Sequence, residues 1–208
     1  PIPTPFATEE ELGSGREDSA TDTDDVGLPK EIQLVSYGTL LRRHLDLTAL
    51  SQAQVAVGRE RAEGRPVAPG AFLLRAAAKA LAQAPLAGTG PVALAVFSQN
   101  GLGACVVDDA AGCGFRALLD EVEAASRTAA GSLENAALVV ADMSGYEIDE
   151  AVLRAQVPVL TLGRVLYDST EGRYRSTLSL SGEVPAEQGS RFLAAVAELL
   201  DTPVRLVI

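Results

Sequence analysis

The sequence predicts a two-layer α/β sandwich, a mixed sheet with helices on one face. Three observations lead there. Segments of period-two apolar alternation are interleaved with segments of helical period, rather than grouped apart. Two apolar runs, Pro91–Ser98 and Leu102–Val107, are joined by Gln99-Asn100-Gly101. Asn-Gly favours a tight antiparallel hairpin, because both residues accept positive φ. Near the end, an alternating strand (Thr177 to Ser181) runs into a short polar turn and then a helix from Pro185.

Residues 1–30 stand apart from the rest. They hold eight acidic residues (Glu9, Glu10, Glu11, Glu17, Asp18, Asp22, Asp24, Asp25) against two basic ones, Arg16 and Lys30. That is −6 of the chain's total of −11. Pro1, Pro3, Pro5, Pro29 and Gly13-Ser14-Gly15 add to it. Such a stretch buries too little apolar surface to offset its backbone entropy, so it reads as a linker. The functional alternative is a docking peptide, with Ile2 and Phe6 among prolines bound in extended form. A chain opening at Pro1 without Met reads as a fragment or a processed product.

Residues 31–208 form the predicted domain. Ile32 and Leu34, then Leu41, Leu45 and Leu47, read as strands interrupted at Gly38. Thr48 to about Arg61 is helix-like and ends at Gly64. Ala71–Gln83 is a helix of strong formers that Pro85 stops. Phe115–Ala129 is amphipathic, with Phe115, Leu118, Leu119 and Val122 on one face. Leu138–Ala141, Val157–Leu162 and Tyr174–Ser181 read as strands. Pro185–Leu200 is a helix that turns Phe192, Leu193, Val196 and Leu200 inward. Val204–Ile208 reads as a final short strand. There are no internal repeats.

Composition excludes several classes. With 208 residues, 47% of them hydrophobic, the chain is a folded one. Its acidity argues against nucleic acid and against an anionic membrane surface. No apolar run approaches a membrane span. Cys105 and Cys113 are too few for a structural zinc site or a disulfide framework and read as reduced thiols. Gly101-Leu102-Gly103 lacks the third glycine and the following helix of a dinucleotide fingerprint. Asp108-Asp109 reads as a turn after a strand rather than a metal site. Arg42-Arg43 is too small for a nucleic-acid patch. The one histidine, His44, lies on a strand face with Arg42 and Asp46, a solvated polar face on which Asp46 could contact the ring.

Several segments, in order, resemble the catalytic domain of the dihydrolipoamide acyltransferases, the core of 2-oxoacid dehydrogenase complexes. Leu41–Leu50 is similar to that family's strand ending in Asp-Val-Thr-Ala-Leu. Pro69–Pro85 resembles its Asn-Asp-Phe-Ile-Ile-Lys-Ala-Ala-Ala stretch. Pro91–Ala110 resembles its paired strands around Asp-Gly-Leu, and Ala137–Val152 sits where it has Phe-Thr-Ile-Ser-Asn-Leu-Gly. Ser176–Leu193 is similar to its strand–turn–helix ending. The order is collinear from about residue 36 onward. The resemblance implies a chloramphenicol acetyltransferase-like fold.

It also implies a missing chemistry. The family turn reads Asp-His-Arg, two apolar residues, then Asp-Gly, and its His is the general base. This chain has Gly182, Glu183, Val184, Pro185 and Ala186 there, about three residues short. The family's oxyanion donor is a hydroxyl in Phe-Thr-Ile-Ser; aligning Leu138–Asp142 to it puts Ala141 at that position. Attack of a thiol on a thioester needs both groups. No catalytic, cofactor-binding or metal-binding residue is therefore expected. The departures resemble the degenerate protein X group, the dihydrolipoamide dehydrogenase-binding members of pyruvate dehydrogenase complexes. That implies a non-catalytic, trimerising component of the mitochondrial matrix, partnered by itself and by the acyltransferase core. Dihydrolipoamide dehydrogenase would be recruited by modules outside residues 1–208. The alternatives are an active acyltransferase with a relocated base and a coenzyme A- or lipoyl-binding pseudoenzyme.

Overall fold

The computed structural model describes residues 38–61, 67–86, 90–98, 101–128, 136–149 and 156–208. All belong to one compact unit, Ser36–Ile208. The linker reading of residues 1–30 and the strand reading of Ile32 and Leu34 lie outside the described residues.

The elements run β1 (Thr39–Asp46), α1 (Thr48–Glu60), α2 (Pro69–Gln83), β2 (Val92–Ser98), β3 (Gly101–Val107), α3 (Phe115–Thr128), β4 (Leu138–Asp142), β5 (Val159–Leu162), β6 (Leu166–Asp168), β7 (Arg173–Gly182), α4 (Ala186–Asp201) and α5 (Val204–Val207). The sheet order is β1-β7-β5-β4-β2-β3, with β6 also paired to β7. β2 with β4 and β4 with β5 are parallel, and the other pairs are antiparallel. The predicted mixed sheet is therefore present. In the hairpin Ser98 pairs with Gly101, and the Asn-Gly turn reading falls partly on residues 99 and 100, which lie outside the described residues.

Alternation along the strands sorts the side chains between two faces. Leu45, Leu94, Val140, Leu160, Leu162, Leu178 and Leu180 enter one buried core with Leu50, Phe72, Leu118, Phe192 and Leu200 of the helices. Ala93, Ala95, Val139, Ala141 and Val159 form a smaller buried cluster on the opposite face. α2 begins two residues earlier than predicted, because Pro69 takes the first helical position, where no N–H is needed. α4 closes over β1 and β7 at Gly189, where a Cβ would stand 3.2 Å from side-chain carbons of both Leu180 and Val184.

One expectation fails and one strand is new. Val204–Ile208 is not a strand, because Val204–Val207 forms a helical turn after Pro203. Leu206 is fully buried there, and Lys79 Nζ on α2 donates to the Arg205 carbonyl at 2.7 Å. That local closure wins over the β-branched, alternating pattern. β6 was not predicted; three residues between Gly163 and the Ser169–Gly172 turn are too short for a periodic signal.

Candidate functional site

β7 ends at Gly182, and α4 begins at Ala186 with Pro185 as its cap. Gly182 has φ 134°, and Val184 N–H donates back to its carbonyl at 3.0 Å. Backbone crowds the turn from two sides. A Cβ on Gly182 would stand 3.0 Å from Pro158 Cα, and one on Gly38 (φ 70°) would collide with the Gly182 carbonyl. Val184 is buried and Glu183 is exposed. The segment therefore holds one titratable side chain, a carboxylate in solvent.

Ala141 lies on β4, fully buried, in register with Ala95 on β2 and Thr161 on β5. Thr161 pairs in turn with Ser179, and Ser179 with Arg42. This row crosses the face opposite the helices. Its nearest hydroxyl to position 141 belongs to Thr161, one strand away, about 4.8 Å. Asp142 points the other way, beneath the start of α2. It accepts from Ser144 N–H at 3.0 Å and from the Gly70 amide. Burial pushes its carboxyl above the usual range, and the Ser144 and Gly70 bonds oppose that only in part.

His44 is exposed on β1, paired with Thr177 on β7, and Thr177 Oγ1 lies 3.3 Å from its Nδ1. Its partner Thr177 is five residues along β7 from Gly182, about 17 Å. The contact that Asp46 could have made with the ring is not made. Asp46 instead accepts from Thr48 N–H at 2.9 Å and lies 3.6 Å from Arg173. Hydrogen bonding from Thr48, then the nearby arginines, holds its carboxyl below the ordinary range.

His44 is not on a featureless surface. It borders a cleft of about 630 Å³ with Asp46, Asp149, Arg164, Arg173, Arg175 and Thr177. Sequence reasoning missed this cleft because its two walls come from residues more than a hundred positions apart. They meet only once β1 has paired with β7.

Cys105 is buried on β3 and Cys113 is half-buried, and both are free thiols. Burial raises the Cys105 pKa, with Glu121 adding to it, so its thiolate is disfavoured. Asp109 Oδ1 accepts from Gly112 N–H at 2.9 Å, the turn the sequence suggested. Among the described residues no His, Cys, Asp and Glu group could hold a metal ion. No helix among them is long and apolar enough to cross a membrane.

The sequence matches no family model and no curated protein. Its structure is similar to a truncated catalytic core of the 2-oxoacid dehydrogenase multienzyme complex from Thermoplasma acidophilum. The TM-score is 0.67 at 18% identity, over 79% of this chain and 87% of that one. It is similar to the Azotobacter vinelandii dihydrolipoamide acetyltransferase, whose serine, histidine and asparagine were probed for their catalytic role. There the TM-score is 0.65 at 16% identity, over 82% and 84% of the two chains. It is also similar to a chloramphenicol acetyltransferase, with a TM-score of 0.56 at 12% identity over 78% and 87%. The fold is thus chloramphenicol acetyltransferase-like, and its structural neighbours include dihydrolipoamide acyltransferase cores.

Proposed function

We propose that this domain is a non-catalytic structural component of a pyruvate dehydrogenase complex, an acyltransferase-like domain that assembles but does not transfer acyl groups. The observation that carries this is the β7–α4 turn. A thiol is mostly protonated at neutral pH and attacks a thioester only with a positioned base. The turn from Gly182 to Pro185 offers backbone, Val184 and an exposed Glu183. The one imidazole of the chain is about 17 Å away along β7. The oxyanion that develops needs a donor, and position 141 carries a methyl group. The Azotobacter neighbour, by contrast, has a serine and a histidine whose roles in catalysis were investigated.

The finer reading is a protein X-like subunit in the mitochondrial matrix. It would sit as a trimer in or on the acyltransferase core and anchor modules, outside these residues, that recruit dihydrolipoamide dehydrogenase. Similarity to the cubic core of a pyruvate dehydrogenase complex supports an assembling fold.

Two measurements test the proposal. Acetyl transfer from acetyl-coenzyme A to dihydrolipoamide should be absent, since base and oxyanion donor each supply about two or more orders of magnitude. Turnover near that of a catalytic acyltransferase would overturn the non-catalytic reading and make His44→Ala the next variant. Sedimentation at micromolar concentration should give three times the monomer mass of 21.6 kDa. A monomer, with no gain on adding the catalytic acyltransferase, would remove the assembly role.

A further inference from the structure

The cleft beside His44 has a chemistry of its own. Most of its charges are already matched. Arg173 lies 3.6 Å from Asp46, and Arg175 lies 3.5 Å from Asp168 and 2.5 Å from Glu171. Arg164 has no carboxylate within ion-pair distance among the described residues. It sits just past Gly163, and its backbone N–H is tied to the Ile148 carbonyl at 3.0 Å. Across β7 from it, the hydroxyl of Thr177 engages His44 at Nδ1, which leaves Nε2 without a partner among the described residues. Gly163 N–H donates to the Thr177 carbonyl and Ser176 Oγ to the Gly163 carbonyl, so this floor between the two is fixed. Leu45 and Leu166 add apolar surface. The volume, about 630 Å³, is that of a small-molecule site.

We propose that this cleft binds a small anionic molecule, its oxyanion held by Arg164 and His44. A guanidinium presents paired N–H groups that fit a phosphate or carboxylate. In a chain of net charge −11, an unmatched arginine in a cleft is a local exception to the field around it. Asp149 borders the same cleft, is exposed, and has no arginine within ion-pair distance among the described residues. It repels an anion, so its removal should strengthen binding. The proposal is independent of acyl transfer and of assembly.

The test is amide NMR on the full chain at low salt, titrated separately with inorganic pyrophosphate and with citrate, which distinguishes a phosphate from a carboxylate head. Shifts should concentrate at residues 44, 164, 176 and 177. Arg164→Ala should weaken binding roughly tenfold, the loss of a charge-assisted contact. Arg164→Lys should fall between it and the parent, and Asp149→Asn should tighten binding. Arg191→Ala, on the outer face of α4, removes the same charge elsewhere and should change nothing. No binding by either anion at millimolar concentration would overturn the proposal. So would equal weakening in the Arg164 and Arg191 variants, or shifts centred elsewhere.

Discussion

The two faces of the sheet are made from the same strands and obey different rules. On β7, Leu178 and Leu180 turn toward the helices, while Thr177, Ser179 and Ser181 turn away. On β4 the split is Leu138 and Val140 against Val139 and Ala141. The helix face is filled by large aliphatic side chains and carries the fold. The other face carries alanines, valines and hydroxyls (Ala93, Ala95, Val139, Ala141, Val159, Thr161 and Ser179), smaller side chains that are themselves buried. Ala141 falls on that second face, as do His44 and Thr177 at its edge. The two kinds of filling are thus separated by a one-residue step along a strand.

The largest effect should come from emptying the helix face. Leu160→Ala, fully buried there, should cost about 2–5 kcal/mol in chemical denaturation with the slope unchanged. Ala141, on the other face and in register with the residue after Leu160, gives the contrast. Ala141→Ser places a hydroxyl among Ala95 and Thr161 and should cost about 1 kcal/mol. It should also fail to produce acetyl transfer, because no base accompanies it. A loss as large as that of Leu160→Ala would break the distinction between the faces.

A smaller effect is tied to pH. Asp142 has its folded pKa raised by burial, so the folded state binds this proton more tightly than the unfolded one. From this group, stability should rise as pH falls through the raised value, with the full gain present below the unfolded value. Comparing urea midpoints of the parent and Asp142→Asn across that range should show the dependence reduced in the variant. Smallest of all, His44→Ala should leave stability within about 0.5 kcal/mol, the usual range for an exposed side chain. A loss beyond that would make the imidazole part of the fold rather than of the cleft.

The alternation that defines the two faces was legible in the sequence, most plainly in Thr177 to Ser181. So were the helices carrying Phe72, Phe115 and Phe192, because long segments of helical period leave little ambiguity. The chain end was misread. Val-Arg-Leu-Val-Ile alternates and is β-branched, and what overrides it is the burial of Leu206 and the Lys79 bond, both tertiary. The cleft was not legible either. Arg164, Arg173 and Arg175 have no local spacing relation to His44, and only the register of β1 on β7 brings them together.

That register also dictates an order of events during synthesis. β1 runs from Thr39 to Asp46, and its partner β7 from Arg173 to Gly182, so the ribosome must deliver the residues up to β7 before β1 has this neighbour. Until then β1 lacks its strand partner. Long-range pairing of this kind is slow and leaves unpaired strand edges available to other chains. Here β1 is among the last of the described strands to be secured, and a nascent chain stalled before residue 173 would display it as an open edge.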